Sequence, residues 1–185
     1  YKRQDMERSS RAASCETLYL GELIDAVEQG SERAVEILVK AAAFAELHLG
    51  DPEQAISLYR EVLEHESDHV VANEGLEYLL EGAGAYVELT AVLQERAART
   101  EDTEARHGLL RRAAELLELE LGDADGAMAI WRDMYAEAPS VVSFDALVKL
   151  YRSTFMWSEL VELYVQHQTV VEEAELAGLC KSIAE

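Results

Sequence analysis

Residues 47–55 read LHLGDPEQA and residues 119–127 read LELGDADGA, so five of these nine residues recur 72 positions later. Extended outward over 37–70 and 109–142, the gapless alignment contains 11 identities in 34 positions. Ala, Glu and Leu are common throughout the chain and supply some of these matches by chance. The shared Leu-Gly-Asp is not of that kind, and it indicates an internal repeat.

The shared residues also predict the secondary structure of each copy. Gly50 and Gly122 stand where a helix ends in a left-handed residue, a position that favours glycine. Asp51 and Asp123 follow at once, and aspartate is a preferred N-cap for a new helix. Each copy is therefore predicted to be a helix, a tight turn and a second helix.

Apolar residues recur at helical spacing in the second helix of both copies. They are Ala55, Leu58, Tyr59 and Val62 in one copy, and Ala127, Ile130, Trp131 and Met134 in the other. A lone helix cannot bury such a stripe, whereas stacked neighbours can. A weaker match at offset 71 pairs 75–89 with 146–160 and places another unit between the copies. Trp131 and Trp157 are both interpreted as core residues of these units.

This pattern resembles the tetratricopeptide repeat, a helix–turn–helix unit, over about residues 32–170. The residues that carry the resemblance are small, turn, aromatic and terminal-proline positions: Ala42, Ala114, Gly50, Gly122, Ala55, Ala127, Tyr59, Trp131 and Pro139. The chain departs from the family pattern at Ser67 in place of the terminal Pro, and at Phe155 where Gly84 holds the equivalent turn. The resemblance implies an all-α fold, a right-handed α-solenoid of stacked antiparallel helix pairs.

On this basis the whole chain, 1–185, is predicted to be a single solenoid and a fragment of a longer chain. Its predicted parts are a leading helix or helices within 1–30, four repeats and a trailing half-repeat helix at 172–185; the repeats lie at 32–66, 69–100, 104–138 and 141–170. The individual helices are expected at 3–13, 17–29, 32–49, 52–66, 69–82, 86–99, 104–121, 124–137, 141–154, 157–170 and 173–184.

The composition of the chain excludes some classes of partner. The 37 Asp and Glu residues outnumber the 16 Lys and Arg residues, which gives a formal net charge of −21. Because phosphate and anionic lipid repel such a chain, neither nucleic acid nor a membrane is an expected partner. The cysteines, Cys15 and Cys180, show no CxxC spacing, and no cofactor motif is present. Two unpaired thiols and no visible export segment make the cytoplasm the default compartment.

One short motif is typical of a catalytic zinc site. Residues 65–69, HESDH, match HExxH, in which two histidines one turn apart hold zinc and the glutamate acts as a base. In the repeat register, however, this segment lies at the end of a helix and in the following turn, with Asp68 as an expected N-cap. A turn there separates the two imidazoles, so no metal site or catalytic residue is predicted, and a zinc hydrolase remains a remote alternative.

The leading interpretation is a non-catalytic scaffold that binds a peptide or a helical protein, with a basic partner favoured by the acidic charge. The resemblance implies that the first helix of each repeat lines a concave face. The candidate partner-binding residues on that face are Val39, Ala43, Glu46, Asn73, Glu77, Arg111, Glu115, Glu118 and Lys149. The alternatives are a structural spacer, a homo-oligomer formed through the solenoid ends, and a helical accessory domain of an enzyme.

Overall fold

A computed structural model describes residues 18–21 and 33–184, with side chains as far as residue 172. All regular secondary structure in these ranges is helical. The helix expected at 3–13 lies outside the described residues, as does most of the helix expected at 17–29, of which residues 18–21 are helical. The chain divides into two compact units, Tyr1–Ala85 and Tyr86–Glu185.

In the described part of the first unit, three helices follow one another. They are α1 (Ala34–Phe44), which continues as a π-helical turn (Ala45–Leu49), α2 (Pro52–His65) and α3 (Val70–Gly82). Helix α2 packs against α1 and against α3. Short turns between packed helices make neighbours antiparallel. The core is formed by the buried faces of the three helices, where Ala41, Ala42 and Ala55 allow the backbones to approach closely.

The second unit has the same plan with five helices: α4 (Tyr86–Arg99), α5 (Thr103–Leu119), α6 (Ala124–Glu137), α7 (Val141–Ser153) and α8 (Trp157–Ala184). Each helix packs against the next in chain order. Leu117, Trp131, Leu147 and Leu160 come from four successive helices and belong to one buried cluster. The described residues of both units therefore have the all-α architecture of helices packed in chain order that the sequence predicts.

The turn chemistry predicted for the two copies is confirmed. Gly50 and Gly122 have φ of 61° and 66°. Asp51 caps α2 by accepting a 3.0 Å hydrogen bond from the backbone N–H of Gln54. Asp123 caps α6 in the same way, with a 2.9 Å bond from the backbone N–H of Gly126.

Three local expectations are wrong. Helix α8 runs unbroken from Trp157 to Ala184, because residues 170–173, VVEE, contain neither glycine nor proline to end it. The N-cap of α3 is His69 rather than Asp68, since the His69 Nδ1 accepts the backbone N–H of Ala72 at 3.2 Å. Trp157 is 56% exposed, so it is not a core residue.

The division into units falls within the predicted repeat 69–100, between α3 and α4. That these two helices form one repeat, and that the whole chain is one continuous solenoid, stay predictions.

Candidate protein-binding surface

The structure brings together two of the predicted surface residues from different helices. The Nζ of Lys149 on α7 lies 2.6 Å from Oε1 of Glu118 on α5. Helices α5 and α7 are the first helices of successive predicted repeats, separated in sequence by α6. The ion pair therefore brings side chains of two predicted first helices into contact, and that this surface binds a partner stays a prediction.

Two further predicted residues continue this surface along α5. Arg111 and Glu115 are exposed, and their side chains form an ion pair with 3.8 Å between Nε and Oε1. Glu115 and Glu118 follow Arg111 at the i+4 and i+7 positions, which lie on one face of a helix. We call Arg111, Glu115, Glu118 and Lys149 the α5–α7 charged face.

This face is balanced in charge, with two acids and two bases, although the whole chain is strongly acidic. Its exposed pairs contribute little to stability, because surface ion pairs are worth only about 0–1 kcal/mol. Their side chains can instead exchange internal partners for those of a bound protein.

The predicted residues of the first unit differ from these in environment. Val39, Ala43 and Glu46 are half-buried on α1 and its π-helical turn. Burial and the hydrogen-bonded Glu46 carboxylate together raise the pKa of the Tyr59 hydroxyl. Glu46 therefore has a partner inside the unit.

Asn73 and Glu77 on α3 are buried, so the expectation that they lie on an exposed face is wrong. The Nδ2 of Asn73 donates to the backbone carbonyls of Ser67 and His69, each at 3.1 Å. Asn73 thus closes the turn between α2 and α3, and helical periodicity could not distinguish this role from exposure. Glu77 lies one turn further along the same helix and is likewise buried.

The HExxH residues do not converge. His65 is exposed at the end of α2, whereas His69 caps α3 beyond the turn. Within the part of the chain that the structure describes, no three His, Cys, Asp or Glu side chains are grouped as metal ligands. The same residues contain no helix long and apolar enough to cross a membrane.

Sequence reasoning missed a junction between α5 and α6. Arg106 and His107 both bind the carboxylate of Glu137, with 3.0 Å between the His107 Nε2 and Oε2. The hydrogen bond from Arg106, with a smaller contribution from His107, lowers the pKa of Glu137. Glu137 follows Arg106 by 31 positions and His107 by 30, a separation that no local sequence pattern reveals.

A second missed feature is an open cavity of about 610 Å³ between α6, α7 and α8. Arg132 lies at its edge, 5.8 Å from the centre of the Tyr151 ring, and Glu159 and Glu162 line it from α8. Nearby, His167 stacks on Phe144 with ring centres 3.9 Å apart. The lining of the cavity includes the buried Leu147 and Leu163, and a repeat pattern does not indicate where packed helices leave space between them.

No protein-family model matches the chain, and no curated protein is similar to it in sequence. Among solved structures, MamA from AMB-1 is 15% identical with a TM-score of 0.48, covering 93% of this chain and 94% of its own. MamA from Desulfovibrio magneticus RS-1 is 14% identical with a TM-score of 0.44, covering 85% and 96%. A Podosopora anserina protein described as a kinesin light chain with nearly identical TPR-like repeats is 16% identical, with a TM-score of 0.44. The match covers 88% of this chain and 94% of that protein. The fold assignment rests on the helix packing described above. The similarities to these structures are too low to transfer a function.

Proposed function

We propose that this chain is a non-catalytic scaffold that binds another protein through the α5–α7 charged face. The observation that supports the proposal is the ion pair between the half-buried Glu118 of α5 and the exposed Lys149 of α7, which links two predicted first helices. A surface held by packed helices is ordered before binding, so little conformational entropy is lost when a partner docks.

The charged side chains of this face indicate which kind of partner can bind to it. Glu115 and Glu118 would accept Lys or Arg, whereas Arg111 and Lys149 would pair with Asp or Glu. A peptide or helix that carries both signs of charge fits this face better than a purely basic one. The acidic remainder of the chain still attracts cations at long range and favours faster association with a basic partner.

The test inverts the charge pattern without changing the net charge. The double variant Arg111→Glu with Glu115→Lys exchanges the members of an i,i+4 pair on α5. Its control is the double variant Glu95→Arg with Arg99→Glu, which exchanges the 3.0 Å i,i+4 pair on α4. Both variants keep the charge at −21, because each adds and removes one charge of each sign.

Immobilised chain is incubated with native lysate and the captured proteins are quantified by mass spectrometry. We expect a specific partner to be reduced about tenfold on the α5 variant, a loss of about 1.4 kcal/mol in binding free energy, and unchanged on the α4 control. Equal capture by both variants would contradict the proposal. Capture of nothing but the chain itself, with concentration-dependent light scattering, would favour self-association instead.

A further inference from the structure

The open cavity between α6, α7 and α8 carries opposite charges on two of its walls. Its charged lining residues, within the described part of the chain, are Arg132 on α6 and Glu159 and Glu162 on α8. Its volume of about 610 Å³ falls in the range of about 300–1,000 Å³ that is usual for small-molecule sites. All of its lining belongs to the second unit, so the site is contained in one compact unit.

The charges on the two walls do not neutralise one another. Among the residues that the structure describes, no ion pair holds Arg132, Glu159 or Glu162. Arg132 lies instead 5.8 Å from the centre of the Tyr151 ring, a cation–π contact that does not occupy its N–H donors. The guanidinium and both carboxylates therefore keep their hydrogen-bonding capacity for a ligand.

The cavity also offers an apolar floor and neutral polar groups. Leu147 and Tyr151 of α7 and Leu163 of α8 line it, and all three belong to the buried cluster of the second unit. Gln166 and Thr169 follow on the α8 wall and present an amide and a hydroxyl group. A ligand can therefore bury an apolar body against packed side chains while its polar atoms form hydrogen bonds.

We propose that this cavity binds a small zwitterionic molecule with an apolar body, of the size of a short peptide with free ends. Arg132 pairs with the carboxylate of the ligand, because a guanidinium can donate two parallel hydrogen bonds to it. Glu159 and Glu162 pair with its ammonium group, and its apolar body covers Leu147 and Leu163. None of these residues belongs to the α5–α7 charged face, so either proposal can fail without the other.

The charges disfavour ligands of a single sign. A purely anionic molecule would meet Glu159 and Glu162, and the net charge of −21 would repel it at long range. A purely cationic molecule would meet Arg132 at the edge of the cavity. A ligand with one charge of each sign satisfies both walls.

The ligand used for the test is the tripeptide Leu-Ala-Leu in three forms. One form has free ends, the second is N-acetylated and lacks the ammonium, and the third is C-amidated and lacks the carboxylate. Each is titrated into the isotopically labelled full chain, and dissociation constants are obtained from amide chemical shifts in NMR spectra. We expect saturable shifts that include the side-chain amide of Gln166, and binding about threefold weaker for each blocked form, as for the loss of one partly exposed ion pair.

The acidic wall is tested by the double variant Glu159→Gln with Glu162→Gln. Its control is Glu61→Gln with Glu64→Gln on α2, which has the same i,i+3 spacing and likewise joins a half-buried to an exposed carboxylate. On the wall variant, acetylation of the tripeptide should no longer weaken binding, because the ammonium has no partner left to lose. Amidation should still weaken it about threefold, and the control should behave as the unchanged chain.

The basic wall is tested by Arg132→Gln, with Arg60→Gln at the equivalent exposed position of α2 as its control. Here the pattern should be reversed. Amidation should have no effect on the Arg132 variant, acetylation should keep its effect, and both should act normally on the control.

The NMR spectrum of each variant verifies that it is folded. Absence of saturable shifts with the free tripeptide overturns the proposal, as do blocked forms that lose the same factor on every variant. End-blocked Lys-Leu-Glu carries both charges on side chains, as a segment of a protein does. Tighter binding of that peptide than of Leu-Ala-Leu would assign the cavity to a protein segment, and would also overturn the proposal.

Discussion

Trp131 on α6 and Tyr164 on α8 hold the same place in the repeat, yet the first is buried and the second is exposed. Both helices begin after a left-handed turn residue and present an aromatic ring nine positions later. Within the described part of the chain, α7 packs against α6, whereas Tyr164 is contacted from the preceding helix by Phe144. In a stack of repeats, therefore, the repeat position selects the residue type, and the neighbouring helix decides how much that residue stabilises the fold.

The comparison is tested most strongly by removing each ring in a separate variant. Trp131→Ala should lower the free energy of unfolding by about 3–5 kcal/mol, because it leaves a cavity in a packed core. Tyr164→Ala should cost less, about 1 kcal/mol, because the ring is 43% exposed, although it lies edge-on to Phe144 and accepts a 3.3 Å hydrogen bond from Arg152. Urea denaturation followed by far-UV circular dichroism measures both. Similar losses for the two variants would mean that something covers α8.

The turns before α6 and α8 permit a second comparison. Gly122→Ala should destabilise the chain by about 1–2 kcal/mol, since a Cβ is disfavoured at its φ of 66°. Phe155 already pays this cost at φ 59°, so Phe155→Gly should stabilise the chain by up to about 1 kcal/mol. The midpoint of thermal unfolding should move in opposite directions for the two variants. A loss of stability in Phe155→Gly would show that the exposed Phe155 ring, which lies edge-on to Trp157, contributes to packing.

Two glycines within helices test the covering of the aromatic ring directly. Gly75→Ala places a methyl group against the ring of Tyr59, and the cost of overpacking, about 2 kcal/mol, exceeds the gain in helix propensity of about 1 kcal/mol. Gly108→Ala on α5 meets nothing within 4 Å and should stabilise by about that same gain. Urea midpoints that rise for both variants would contradict the close packing of α3 on Tyr59.

The contrast between α6 and α8 also shows how far the sequence could predict the fold. The Leu-Gly-Asp turns, the caps Asp51 and Asp123 and the buried Trp131 follow from local patterns, and the structure confirms them. The exposure of Trp157 could not be predicted in this way. The equivalent residues two positions after the other positive-φ turn residues, Pro52, Tyr86 and Ala124, are likewise exposed or half-buried, so this place at the start of a second helix lies outside the core.

The candidate surface illustrates the same limit. The repeat register, with the resemblance that implies a concave face, predicts that Arg111 and Glu115 lie on one face of α5. Asn73 had equally suitable spacing, but its side chain is drawn inward by two backbone carbonyls of the preceding turn. Such a hydrogen bond depends on the conformation of the turn, which a helical register does not specify. Residues near a turn are therefore the ones for which spacing predicts exposure least well.

The smallest expected effect concerns the ion pairs at the end of α6, which have no equivalent at the corresponding position of α8. Glu137 is held by Arg106 and His107 of α5, whereas the equivalent position on α8, 33 residues later, is Val170. Because Arg106 lowers the pKa of Glu137 below its ordinary 4.5, the folded chain binds this proton less readily than the unfolded chain does. The stabilisation is therefore fully present above pH 4.5 and is lost as the pH falls through the lowered pKa.

Glu137→Gln should accordingly flatten the decline in thermal stability below pH 4.5 relative to the unchanged chain. Thermal unfolding of the two proteins across this pH range measures the difference. Identical profiles would mean that Arg106 and His107 contact Glu137 without favouring its ionised form, and that α5 and α6 are joined by apolar packing alone.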